Sequence, residues 1–137
     1  MRLTRGADYG ARGMIRLARA PQGQIMLVGD IAADEGLPES YLAKIFQELT
    51  RCGIVRSHRV AGGGFSLARP AEAITLRQIV EAIQGPIALN TCLETGAANR
   101  CEQVDRCAIY PVLKRAQQQL LSILDETTLA ELVSQEI

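Results

Sequence analysis

Residues 38–68 read P-E-S-Y-L-A-K-I-F-Q-E-L-T-R-C-G-I-V-R-S-H-R-V-A-G-G-G-F-S-L-A and carry three local signals in succession. Pro38 suits the first turn of a helix, since its missing N–H would be unpaired there anyway. Leu42, Ile45, Phe46 and Leu49 then recur at i, i+3, i+4, i+7, one apolar helical face. The opposite face carries Ser40, Lys44, Gln47 and Arg51, with no carboxylate among them, where an ordinary solvated face would also carry Glu. Gly53 stops the helix. Residues 54–60 read as a strand, Ala61-Gly62-Gly63-Gly64 as a turn and residues 65–68 as its return strand. Three successive glycines permit positive φ and a close backbone approach.

Upstream, residues 5–20 read as a helix with a stripe of Ala7, Ala11, Met14 and Ala18, widened by Ile15 and Leu17. Arg2, Arg5, Arg12, Arg16 and Arg19 make it basic; Asp8 is spaced to pair with Arg12 at i,i+4. Pro21-Gln22-Gly23 closes this helix, a short extended piece follows at 24–27, and a smaller helix at 28–35 ends at Gly36. Two short helices joined by a Gly-containing turn, the second polar and basic outward, form a helix-turn-helix. The basic hairpin after it makes the arrangement a winged helix. Downstream, Thr75 and Gln78 have capping-box spacing, and Ile79, Val80 and Ile83 supply a buried stripe up to Gly85-Pro86. Pro111 opens a further helix in which Leu113, Ala116, Leu120 and Ile123 follow at 3-4-3 spacing. Two heptads suit an interface and are too short for an extended coiled coil. Thr128 and Glu131 form a second capping box before a short last helix with Leu129, Leu132 and Val133. The expected fold class is mainly α with a small β-hairpin, a winged helix-turn-helix with a long C-terminal dimerisation helix. Its expected division is 1–85 for the winged helix, 86–110 for a cysteine-bearing loop and 111–137 for the dimerisation and terminal helices.

The 137 residues suit one domain, and 47% apolar content is enough for a core without staples. No apolar run is long enough to span a bilayer, and Met1-Arg2-Leu3-Thr4 leads straight into a helical pattern, so a cytoplasmic location without membrane contact is expected. Net charge is zero, but residues 1–69 carry ten Lys/Arg against six Asp/Glu, and residues 70–137 carry five against nine. A front half that meets an anion follows. Between Glu48 and Glu72 there is no acid, only Arg51, Arg56, His58, Arg59 and Arg69. Lys44 and Arg51 suit phosphates or guanine edges, Gln47 suits adenine, and Ser40 suits a phosphate. On the wing, Arg56, His58 and Arg59 suit phosphate or a narrow minor groove. Tyr41, Gly62 and Gly63 complete the candidate DNA-binding set. The alternative is a solvated basic face on a protein-interaction module. Without a phosphate loop, nucleophile elbow or local Cys/His pair, an enzyme is not expected.

Cys92, Cys101 and Cys107 stand at C-x8-C-x5-C in a segment poor in large apolar residues. Thiolates select zinc, copper(I) or iron–sulphur clusters. Structural zinc sites bring close C-x2–4-C pairs, so gaps of eight and five suit a loop around a larger object such as a cluster. Cys107 precedes the Pro111 helix by about one turn, where a helix N-terminus favours thiolate. A thiol-only redox switch and unliganded cysteines are the alternatives. Asp8, Glu94, Glu102 and Asp105 are the possible fourth ligands, with His58 poorly placed on the wing. Cys52, beside Gly53, is expected to pack against the wing as a small hydrophobe.

Several motifs together resemble the winged-helix bacterial transcription regulators of the IscR/NsrR type, which bind iron–sulphur clusters. They are Met1-Arg2-Leu3-Thr4, Ser40-Tyr41-Leu42, Gly53-Ile54-Val55-Arg56-Ser57-His58-Arg59, Gly62-Gly63-Gly64-Phe65-Ser66-Leu67-Ala68, Ile74-Thr75-Leu76 and Ile79-Val80-Glu81-Ala82-Ile83. The resemblance covers essentially the whole chain. It implies a homodimer held by the long helix, a palindromic operator in double-stranded DNA, and a 4Fe–4S or 2Fe–2S cluster on Cys92, Cys101 and Cys107 that controls DNA affinity. Two departures stand out. The family usually spaces its cysteines C-x5-C-x5-C, and Tyr110 occupies the place of the IscR-like histidine. Asp8 matches the aspartate by which NsrR-like proteins complete a 4Fe–4S cluster across the dimer. The expected function is a repressor sensing nitric oxide, redox or iron–sulphur status. Its rivals are a DNA-independent iron–sulphur protein, as electron carrier or assembly factor, and a cluster-free thiol-switch regulator.

Overall fold

In the computed structural model, which describes residues 2–94 and 106–135, Thr4 caps the first helix. Its hydroxyl accepts the Ala7 N–H at 3.1 Å and starts α1 (Arg5–Arg19). The buried face of α1 is Gly6, Ala7, Gly10, Gly13, Met14 and Leu17. The expected stripe is therefore rotated: Ala11, Ile15 and Ala18 are only partly buried, and three glycines take the inward positions. The reason is space. A Cβ at Gly10 would collide with Ile83 Cδ1, and one at Gly13 would stand 3.1 Å from Phe46 Cζ, so bare backbone is what admits these side chains.

Met26–Leu27 forms β1, which passes directly into α2 (Val28–Glu35); Gly36, at φ 66°, closes that helix in the left-handed region. After the Pro38 cap, α3 (Glu39–Arg51) buries Leu42, Ile45, Phe46 and Leu49, the face its periodicity predicts. Gly53 at φ 74° reverses the chain and sends Ile54 and Val55 into the core. This leaves Cys52 exposed at the helix end, contrary to the expected packing against the wing. β2 (Val55–His58) and β3 (Gly64–Leu67) pair with Arg56 opposite Ser66 and His58 opposite Gly64. The expected hairpin acquires a third strand: β1 pairs with β3 through Met26 opposite Phe65 and Leu27 opposite Gly64, giving the order β1-β3-β2. Two residues are too few to show alternation, so that strand is invisible to pattern reading.

Thr75 and Gln78 make the predicted reciprocal capping box on α4 (Leu76–Gln84). Pro111 lies in the first turn of α5 (Tyr110–Glu126), and the Thr128 hydroxyl accepts the Glu131 N–H at 3.2 Å to start α6 (Leu129–Ser134). The main core gathers Met14, Ile31, Leu42, Leu49, Ile54, Ile74 and Ile79 around Phe46 and Phe65, whose ring centroids are 5.1 Å apart. Leu129 of α6 is fully buried in this core. Its N–H donates to the Ile74 carbonyl at 2.8 Å, and the Leu76 N–H donates to the Thr127 carbonyl at 2.9 Å. A second cluster of Ala7, Val80 and Ile87 receives Leu120, Leu121 and Leu124 from α5.

The heptad positions of α5 divide accordingly. Leu120 turns inward, whereas Ile123 is 60% exposed and joins Ile109 and Val112, 60% and 62% exposed, with exposed Ala116 between them. No helix among the described residues is long and apolar enough to cross a membrane.

Candidate nucleic-acid interface and cysteine segment

Because the apolar face of α3 is fixed in the core, Ser40, Lys44, Gln47 and Arg51 are all exposed on its far side. Arg51 is not unopposed. Its Nη1 lies 2.9 Å from Glu48 Oε1, one turn back, so the cationic face has a carboxylate at its edge that the opposite-face reading passed over. Tyr41 does two jobs. Its ring meets Tyr9 edge-on at 5.7 Å and joins α3 to α1, while 43% of the residue stays exposed beside Ser40.

The wing brings Arg56 and Arg59 to the surface. His58 is drawn back, its Nε2 lying 2.8 Å from Ser66 Oγ across the hairpin. The turn is closed by the Gly63 N–H donating to the Val60 carbonyl at 2.9 Å, with Gly62 at φ 85° and Gly63 at φ 84°. The third glycine has a different role. A Cβ at Gly64 would stand 2.6 Å from Val60 Cγ2 and 2.8 Å from Ile25 Cγ2, so these two side chains close over the central strand. Val60, Ile25 and Leu27, all partly exposed, give the sheet an apolar outer edge. Sequence reasoning misses that edge because it depends on β1.

Cys92 lies on the 3-10 turn Thr91–Leu93 and Cys107 just before α5; both are half-buried free thiols. Cys101 lies outside the described residues, as do Glu102 and Asp105. Among the described residues no three His, Cys, Asp or Glu side chains are grouped to hold a metal ion. Asp8 Oδ1 accepts from Arg12 Nε at 3.2 Å, the i,i+4 pairing its spacing allows. Glu94 is exposed.

Two side chains that carry no motif hold the linker into the cysteine segment. Glu81 Oε2 accepts the Ile87 N–H at 2.9 Å, and Gln117 Oε1 accepts the Leu89 N–H at 2.8 Å. Gln117 Nε2 donates in turn to the Leu93 carbonyl at 3.5 Å. Glu81 Oε1 receives Arg77 Nε at 2.8 Å, and Arg77 Nη1 lies 3.6 Å from Asp125. The hydrogen bond to Glu81 raises the Arg77 pKa, burial opposes it, and the charges of Glu81 and Asp125 add to the rise. A cavity of about 640 Å³ lies between α4, this linker and α5, with Ile87, Leu93 and Leu121 among its walls.

The family model described as "Rrf2: Iron-dependent Transcriptional regulator" matches residues 3–135. Rv1287 of Mycobacterium tuberculosis, named as an HTH-type transcriptional regulator, is 34% identical over 131 residues, covering 96% of this chain and 80% of its own. The structure of CymR (YrzC), the global cysteine regulator of B. subtilis, is similar with a TM-score of 0.74 and 29% identity over 98% of this chain and 97% of that one. T. potens IscR is similar in fold, with a TM-score of 0.71 and 24% identity over 97% and 86% of the two chains.

Proposed function

Because the chain belongs to the Rrf2 family of transcriptional regulators, we propose that it is a homodimeric repressor reading a two-fold operator, with affinity set at Cys92, Cys101 and Cys107. The observation that carries the DNA contact is the exposed α3 face of Ser40, Lys44, Gln47 and Arg51, together with the exposed wing cations Arg56 and Arg59. Major-groove edges and phosphates are recognised by this mixture of amide, hydroxyl and cation. Tyr41, His58, Gly62 and Gly63 position that surface more than they extend it. The exposed seam of Ile109, Val112, Ala116 and Ile123 is the matching apolar strip through which two copies associate, and a dimer sets the half-site spacing.

The donor set fits an iron–sulphur cluster: Cys92 and Cys107 are free and partly accessible thiols, and soft sulfur ligands are what such clusters take. Cys92, Cys101 and Cys107 would hold it, with Asp8 of a second copy as the fourth ligand in exchange for its Arg12 pairing. A bound cluster would supply a centre reactive toward nitric oxide and oxidants. The free thiols equally support a second reading, a cluster-free thiol switch, and similarity to a protein named as a cysteine regulator favours keeping it.

Promoter fragments titrated with wild type and with Lys44→Ala, Arg51→Ala and Arg59→Ala test the DNA surface; salt-sensitive binding that survives all three changes overturns it. Anaerobic purification tests the cluster. Iron and visible absorbance are expected in wild type and absent from the Cys92, Cys101 and Cys107→Ala triple variant. Colourless, iron-free wild type that cannot be reconstituted, yet binds DNA in a thiol-dependent way, selects the second reading.

A further inference from the structure

The geometry points to Gln117 as a positioning residue that couples the cysteine segment to α5, and through α5 to the spacing of the two recognition helices. The inference rests on the cysteines being the sensor and adds the route from them to the DNA-binding face.

Between Gly85 and Cys92 the backbone belongs to no helix or strand until the short turn at Thr91, so its N–H groups need other partners. Ile87 finds Glu81 on α4 and Leu89 finds Gln117 on α5, so alternate amides are gripped from two helices. Gln117 then reaches on to the Leu93 carbonyl, bracketing Asn90 to Cys92 with one side chain. A side-chain amide can do this because it both accepts and donates; an ionised Glu and a Leu cannot. The two grips are themselves connected. Glu81 is held by Arg77, and Arg77 lies near Asp125 in the last turn of α5. A ligand or oxidation that draws Cys92 toward Cys107 must move the Leu93 carbonyl, and that motion meets Gln117 first. α5 carries the exposed apolar seam, so a displacement there is transmitted to the partner copy.

The test uses full-length protein in two preparations, iron- and sulphide-reconstituted and chelator-stripped, titrated against the same operator fragment. In wild type the two affinities are expected to differ about tenfold or more, the usual size of a coupled site. Gln117→Leu is expected to bring that ratio below about threefold. Its iron content should remain unchanged. Gln117→Glu, which still accepts from Leu89 but cannot donate to Leu93, should fall between. Gln118→Leu, on the exposed side of α5, should match wild type. In stripped protein, hydrogen exchange at the Leu89 amide should rise in Gln117→Leu while Ile87 stays protected, a readout independent of any bound group. A wild-type ratio retained by folded Gln117→Leu overturns the coupling. If that variant does not fold, a wild-type ratio in Gln117→Glu overturns it instead. Equal affinity of the two wild-type preparations, and of stripped protein with its thiols reduced and oxidised, removes the sensor reading and the coupling together.

Discussion

At the scale of single residues, the cationic surface divides by what holds each charge. Arg51 is engaged with Glu48, and His58 with Ser66, so part of each side chain's binding capacity is already used within the chain. Among the described residues Lys44 has no such partner, and its ammonium can follow a phosphate without breaking anything. Lys44→Ala should therefore weaken all fragments alike and lower the salt slope by about one, as loss of one phosphate contact requires. Gln47→Ala should instead relax sequence preference, costing about 1–3 kcal/mol on the preferred fragment and little on others. Competition titrations at two salt concentrations separate the two. On the wing, a methyl added at Gly62 would meet nothing within 4 Å, so Gly62→Ala isolates the cost of its positive φ. A loss of about 1–2 kcal/mol in urea denaturation is expected, with Asn tolerated better than Ala.

At the scale of elements, α5 shows where periodicity informs and where it stops. Leu113, Ala116, Leu120 and Ile123 announce an amphipathic helix, yet the helix has two apolar faces, one for Val80 and Ile87 and one left uncovered. A one-dimensional pattern reports that apolar residues recur; it does not say which of two neighbours each will meet. The same limit applies to α1, where Gly6, Gly10 and Gly13 contribute nothing to an apolar count but lie at the closest approach to Ile83, Ile45 and Phe46. By contrast α3 and the wing are readable because one periodic face and one glycine turn each have a single solution. Cys92 and Cys107 draw notice by residue type alone, while Glu81 and Gln117, which hold the linker beside Cys92, look like any helical polar residue. The two faces of α5 predict opposite phenotypes. Ile123→Asp and Val112→Asp should leave the melting of the isolated chain nearly unchanged, since both positions are exposed, and should abolish association. Leu124→Asp should unfold it by charging the inner cluster. Sedimentation velocity beside circular dichroism distinguishes these, and monomeric Ile123→Asp should lose operator affinity with its recognition helix intact.

At the scale of the molecule, the chain closes on itself. Leu129 enters the same core as Met14, Phe46 and Ile79, and the strand-like bridge of Thr75 to Thr128 fixes α6 against the start of α4. α3 therefore depends on the far end of the sequence for part of its support. A binding unit ending before α5 would expose Ile74 and Ile79 and leave the Ile74 carbonyl and Leu76 N–H without their partners from Leu129 and Thr127. Leu129→Ala should cost about 2–5 kcal/mol, the range for emptying a fully buried leucine site. Deletion of residues 127–137 should cost more than that, because it removes the hydrogen bonds as well as the side chain. Thermal unfolding followed by circular dichroism gives both values. If the shortened protein melts cooperatively at the full-length temperature, the winged helix is an independent unit and the returning helix is an ornament on it. If it does not, α3, the wing and the returning α6 belong to one cooperative body.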